Sequence, residues 1–321
     1  MSQTKILLAF LIAAALPAAG DAPAATPVNE LPATFQSEGR YYQDQGDYAK
    51  AEESVRQSLA ILEAKGLQDS LEGALKLNDL AVICRLRYRL PEAESLYRRA
   101  LQIFRDATAS VQAAAAMNNL ASVVLLQGRW KEAQALYLQA IAIWQKTLGP
   151  ERPEVAAGLS NLSLLYQTRH EYGKAADLLE HAMKIDQAAY PPGHPRIALD
   201  LNNQATLAGR QKRYRQAESL LLRALPWLET SLPPGNPDIG LVMANLAEVY
   251  RQEHKYEDAE RLYRSGIAIL EKAWGPDDSR LLAFFECYAV VLRAREEYAE
   301  AADADVRAVR IRVIKTLRRP D

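Results

Sequence analysis

Four asparagines, Asn119, Asn161, Asn203 and Asn245, recur every 42 residues, and Asp79 holds the corresponding place 40 residues before the first. A carboxamide carries both a carbonyl acceptor and an NH₂ donor. A row of them can therefore pair with a peptide backbone without demanding any particular side chain. Equally, such amides can bond to one another between neighbouring helices and stiffen a scaffold. Two further columns keep the same step: Ser122, Leu164, Thr206 and Glu248, then Leu126, Thr168, Arg210 and Gln252. Their types vary, as residues that select a ligand would. Arg210 and Arg251 suit an acidic ligand group, or a solvated surface.

Other chemistry is thinly represented. The chain has no Gly-x-Ser-x-Gly, phosphate-binding loop or His-Glu-x-x-His motif. His170, His181, His194 and His254 have no metal-ligand spacing and read as exposed or capping side chains. The expectation is a protein that is not an enzyme, with no cofactor and no metal. Cys84 falls in an apolar column and reads as inert, whereas Cys287 stands in the asparagine column and is expected to be more accessible.

The elements that hold these residues follow from one period. An aromatic or Leu followed by Ala three residues later recurs at Tyr48, Leu90, Trp130, Tyr172, Tyr214, Tyr256 and Tyr298. The steps are 42, 40, 42, 42, 42 and 42 residues, and self-similarity of this length marks a repeat array. Ten residues on stand Ser58, Ala100, Ala140, Ala182, Ala224, Gly266 and Ala308; thirteen on stand Ile61, Ile103, Ile143, Ile185, Trp227, Ile269 and Ile311. Offsets of three, ten and thirteen share one helical face. Small residues there allow helices to approach closely, and the larger ones fill the gap beyond. Ten residues before the aromatic, Leu80, Leu120, Leu162, Leu246 and Tyr288 belong to a preceding helix. Each unit is thus two antiparallel helices. Gly46 and Gly128 mark the inner turn. Gly149-Pro150, Gly193-His194-Pro195, Gly235-Asn236-Pro237 and Gly275-Pro276 mark the joint between units. The predicted fold is all-α, an α-α superhelical solenoid of about seven helix-turn-helix repeats. The Trp residues fall in its structural columns and read as core.

The run Leu120-Ala121, Gly128-Arg129-Trp130-Lys131-Glu132-Ala133, Leu136-Tyr137 and Ala140-Ile141-Ala142-Ile143 resembles a tetratricopeptide repeat. The longer period, the Asn118-Asn119-Leu120-Ala121 start and the Gly-Pro joints resemble the variety found in kinesin light chains, over roughly residues 33–317. That resemblance implies a scaffold that binds proteins or peptides. It implies a concave groove lined by Asn119, Asn161, Asn203 and Asn245, with Ser122, Thr206, Glu248 and Arg210 beside them. Neighbouring first helices lie about 8–10 Å apart, and an extended peptide rises ~3.3 Å per residue. One rung would meet roughly every third ligand residue.

Composition narrows the partners. Lys and Arg total 39 against 40 Asp and Glu, so nothing in the overall charge seeks nucleic acid. At the start, Lys5 precedes an unbroken apolar run, Ile6 to Leu16, then Pro17, Ala18, Ala19 and Gly20. This reads as a signal peptide over 1–20, a leader over 21–32 and the solenoid over 33–321, in a periplasmic or secreted protein. Near the other end, Arg307 to Arg319 holds six basic residues and no acid, with Val306, Val309, Val313 and Leu317 along a helical stripe. An ordinary last helix would look like this. So would an end that docks a partner, a second copy or, peripherally, an anionic membrane. The alternative to groove binding is therefore a structural or oligomeric scaffold acting through its convex face or this basic helix. Cys84 and Cys287 stand about five repeats apart, roughly 50 Å at ~10 Å per repeat, too far for a disulfide.

Overall fold

The computed structural model describes residues 48–317, and side chains up to residue 314. The signal-peptide and leader readings, and the first helix of the first repeat, lie outside those residues. Among the described residues all regular structure is α-helical, and they form two compact units, 48–191 and 192–317.

The first unit contains α1 (Tyr48–Ala64), α2 (Leu71–Leu86), α3 (Leu90–Asp106), α4 (Ser110–Leu126), α5 (Trp130–Thr147), α6 (Pro153–Thr168) and α7 (Tyr172–Ala189). The second contains α8 (Pro195–Arg210), α9 (Tyr214–Ser231), α10 (Pro237–Gln252), α11 (Tyr256–Trp274), α12 (Leu281–Ala294) and α13 (Tyr298–Leu317). Every odd-numbered helix in the first unit and α9, α11 and α13 in the second open on the aromatic column. Within each unit consecutive helices pack antiparallel, and the first helices also touch one another: α2 on α4, α4 on α6, α8 on α10 and α10 on α12. Each unit is a stack of helical hairpins, the solenoid architecture expected from the period.

The small-residue columns explain the packing. Ala93, Ala133, Ala175, Ala217 and Ala259, and ten-residue partners Ala100, Ala140, Ala182 and Ala224, are all fully buried. Between α10 and α11 backbone meets backbone. A Cβ on Gly266 would lie 2.8 Å from the Gly240 carbonyl oxygen, and one on Gly240 would lie 3.0 Å from that of Gly266. One expected column shifts. Ile185 and Ile311 are 3% and 1% exposed as expected, but Ile61, Ile103, Ile143 and Ile269 are half-buried, while the next position, Leu62, Phe104, Trp144, Asp186, Leu228 and Leu270, is at most 1% exposed. That column mixes shapes and includes an acid, so residue identity hides it although burial is uniform from Leu62 to Leu270. Nor is every member of the opening column core: Trp130 is 50% and Tyr298 66% exposed, against 5% for Tyr48 and 8% for Leu90.

The inner turns share one geometry. Two residues before each aromatic, Tyr88, Gly128, His170, Lys212, His254 and Glu296 all have φ between 55° and 82°. The N–H of Gly128 donates to the Leu125 carbonyl and that of Arg129 to the Val124 carbonyl, the Schellman pairing that satisfies the last carbonyls of a helix. The same two bonds close α2, α6, α8, α10 and α12. Only one of these six positions is Gly, the residue that takes left-handed φ freely, so the turn was visible in sequence at Gly128 and hidden at the other five. At the joints, Pro153, Pro195 and Pro237 occupy the first helical turn, and His194 Nδ1 and the Asn236 side chain accept from the N–H groups of Arg196 and Asp238. His194 is thus a cap, as expected.

Candidate groove on the first helices

Four columns of the first helices, separated by four, three and four residues, form one helical stripe. In α4 they are Ala115, Asn119, Ser122 and Leu126; in α8 they are Leu199, Asn203, Thr206 and Arg210. The stripe opens at its ends, where Leu126 and Thr168 are exposed, and is closed at its floor. Asn119, Asn161, Asn203 and Asn245 are 4%, 5%, 2% and 0% exposed.

Burial forces each amide to find partners, and two of the four do so across helices. In the first unit Asn161 Nδ2 donates to Asn118 Oδ1 at 3.1 Å. In the second, Asn245 Nδ2 donates to Asn202 Oδ1 at 2.8 Å. The acceptors, one residue before the ladder, form the column that sequence reasoning missed. Its signal is the Asn118-Asn119 and Asn202-Asn203 doublets, each followed one repeat later by a single Asn. The pair is not repeated between α2 and α4, where Asn78 Oδ1 and Asn119 Nδ2 are both buried without a partner. There the repeat is two residues shorter, three residues linking α3 to α4 against five linking α5 to α6. The nitrogens of Asn118 and Asn202 and the carbonyl oxygen of Asn203 are also buried and unpartnered.

Three expected groove residues turn toward their own hairpins. Ser122 Oγ lies 2.9 Å from the Tyr137 hydroxyl and also donates to the Asn118 carbonyl. Thr206, fully buried, donates to the Asn202 carbonyl. Glu248, fully buried, accepts from the Tyr263 hydroxyl at 2.8 Å, from both Nε and Nη2 of Arg251 and from Gln252 Nε2. The column sits fifteen residues before a buried Tyr of the second helix, so Ser122 and Glu248 meet that hydroxyl rather than solvent. Arg210 is half-buried at the end of α8. Arg251 is held by Glu248, which raises its pKa against the opposing effect of burial; it is a framework residue.

Cys287 is buried, contrary to the sequence expectation, because α10 and α11 pack over it; burial, then the Glu248 carboxylate, push its thiol pKa upward. Cys84 is fully buried and its thiol is pushed up to about 12 by desolvation. Both are free thiols. His170 and His254 each place Nδ1 within 2.8 Å of the hydroxyl two residues on, at Tyr172 and Tyr256. Among the described residues no group of three or more His, Cys, Asp or Glu stands together to hold a metal, and no helix is long and apolar enough to cross a membrane.

Neighbouring hairpins are tied along the turn edge by a recurring ion pair. Glu52 meets Arg89 at 2.5 Å, Glu94 meets Arg129 at 2.6 Å and Glu218 meets Lys255 at 2.9 Å. Burial opposes ionisation of Glu52 and Glu94. Arg89, Arg56 and Arg87 around the first, and Arg129, Arg98 and Gln127 around the second, outweigh it and hold each carboxyl down to about 2.

The tetratricopeptide repeat family model matches residues 33–106, 112–188 and 192–272. No curated protein matches the chain in sequence. Among solved structures it is similar to BtubC (BKLC) from P. vanneervenii, with 21% identity, 74% of this chain and 93% of that one covered, and a TM-score of 0.55. It is similar to a chain of the APC/C hetero-tetramer Cut9-Hcn1, with 15% identity, 82% and 45% covered, and a TM-score of 0.57. Kinesin light chain repeats from Podosopora anserina align at 24% identity over 63% of this chain and 95% of that one, with a TM-score of 0.48. At such identities the likeness speaks for the fold alone.

Proposed function

Because the chain belongs to the tetratricopeptide repeat family, we propose that it is a non-enzymatic adaptor that binds an extended peptide or protein segment along the first-helix faces of its units. Protein binding is the common use of the fold. The observation that carries the groove reading is that Asn119 and Asn203 stand on the first-helix stripe without an inter-helix amide bond, on stripes whose ends are exposed or half-buried at Leu126, Thr168 and Arg210. The accessible stripe ends, Leu126, Thr168 and Arg210, supply contacts that differ from repeat to repeat.

The apolar run after Lys5 supports export, and the partner is then an envelope or secreted protein. Mass spectrometry of the native protein tests this: a mature start near residue 21 is expected, and an intact first segment on cytoplasmic protein contradicts it.

The binding test is affinity capture from cell-envelope extract, comparing the full chain with Asn119→Ala/Asn203→Ala. Neither amide makes an inter-helix amide bond, so the variant should fold as the wild type does and capture less partner. Undiminished capture by a folded double variant would sink the groove reading.

A further inference from the structure

The outward face of α13 differs from those of α3, α5 and α11, which the next first helix of their unit covers. Eleven residues after the aromatic column, Leu101, Ile141 and Ile267 are 7%, 6% and 4% exposed, each beneath the next first helix of its unit. A Cβ on Gly158 of α6 would lie 2.6 Å from Ile141 Cγ1, which shows how closely that cover fits. The equivalent Val309 is 51% exposed. The flanking columns change type as well. Four residues after the aromatic, Glu52, Glu94, Gln134, Glu218 and Glu260 give way to Ala176 and Ala302; fifteen after it, Glu63, Arg105, Gln145, Gln187, Glu229 and Glu271 give way to Val313. With Val306 at 66% and Val313 at 51% exposure, Ala302, Val306, Val309 and Val313 make an apolar stripe at spacings of four, three and four.

The charges beside the stripe say what fits it. One flank carries Asp303 and, two turns later, Arg310; the other carries Asp305 and, two turns later, Arg312. Each flank is acidic toward the helix start and basic toward its end. An antiparallel copy of the same helix presents the complementary order. A two-fold axis midway between Val306 and Val309 sets Val306 against Val309 and Ala302 against Val313. It also brings Asp303 near Arg310 and Asp305 near Arg312 of the other copy. Arg310 and Arg312 already pair with Asp277 and Glu286, and Asp305 with Arg293; a guanidinium fork has donors for a second carboxylate, as Arg98 shows by meeting both Glu94 and Glu132, and a carboxylate has acceptor sites for a second guanidinium.

We propose that the exposed stripe of α13 docks a second copy of this chain, antiparallel and related by a two-fold axis. This goes beyond peptide binding on the first helices and uses none of the same residues. Apolar contact supplies the attraction, and the flanking charges set the antiparallel order.

Sedimentation of the full chain from ~1 to ~100 μM tests it, that range suiting a contact no larger than one helix face. A monomer–dimer equilibrium is expected. Val309→Glu, at an exposed site, should leave helicity unchanged and remove the dimer. Asp303→Arg and Arg310→Asp should each weaken it at least tenfold, and an equimolar mixture of those two variants should restore it, because only the mixed pair matches charges. A chain that stays monomeric throughout overturns the proposal. So does a dimer indifferent to Val309→Glu, a mixture that fails to recover, or a monomer that sediments only with phosphatidylglycerol vesicles.

Discussion

A buried amide in a helix interior is either anchored or costly, and this chain contains both kinds side by side. Asn161 and Asn245 spend their NH₂ groups on the neighbouring first helix, at Asn118 and Asn202. Removing either donor strands a buried carbonyl, so Asn161→Ala and Asn245→Ala should each lower stability in urea by about 1–2 kcal/mol. Asn119→Ala and Asn203→Ala remove atoms without partners and gain helix propensity, so they should leave stability unchanged or slightly higher. If all four cost the same, the amides are uniformly structural. Of the two roles open in the sequence, scaffold stiffening describes two of the four rungs, Asn161 and Asn245, and backbone capture is the role proposed for Asn119 and Asn203. What could not be read from sequence was the side to which each position turns. Ser122, Thr206 and Glu248 share a helical stripe with the amides, yet each bonds within its own hairpin. The 42-residue step fixes repetition, not the few tens of degrees that separate an open floor from a hairpin interior.

At the scale of elements, the helix pairs follow from small residues, and local packing overrides the repeat consensus where backbones come closest. Ala stands at the position of Gly266 in five other second helices, and Ala is the better helix former by about 1 kcal/mol. The Gly240 carbonyl oxygen, 2.8 Å from where that methyl carbon would lie, reverses the preference. Gly266→Ala should lower the melting temperature, with a net cost of about 1 kcal/mol after overpacking is offset by propensity. The turns run the other way. Glu296 is exposed at φ 65°, and a left-handed non-Gly residue is strained by roughly 1–2 kcal/mol. Glu296→Gly should therefore stabilise by about 0.5–1 kcal/mol once glycine's entropy is subtracted, measured by thermal unfolding. Helix order and length were legible because period and capping residues agree. The deepest column, Leu62 to Leu270, was not, since shape varies there while burial does not.

At the scale of the molecule, stability rests on pairs between hairpins as well as on the apolar core. Glu52 and Glu94 ionise more readily folded than unfolded, with carboxyls held at about 2 against the ordinary 4.5. Their contribution is complete above about pH 4.5 and is lost as pH falls toward 2. Circular dichroism of thermal unfolding across that window should show stability dropping with acid, and Glu52→Gln together with Glu94→Gln should flatten the slope. A slope unchanged by the double substitution would remove these pairs from the account. Repeat arrays unfold by neighbouring units, so the loss should appear first in the unit that carries both residues, 48–191.

The central claim is that ligand lies on the first helices. Hydrogen–deuterium exchange of the full chain, with and without its captured partner, examines that claim directly. Slower exchange at the ends of α4, α6, α8 and α10, near Leu126, Thr168, Arg210 and Gln252, is the predicted result. Protection confined to the second helices α5, α9 and α11, or to α13 alone, would contradict it and leave a scaffold that works through its other faces.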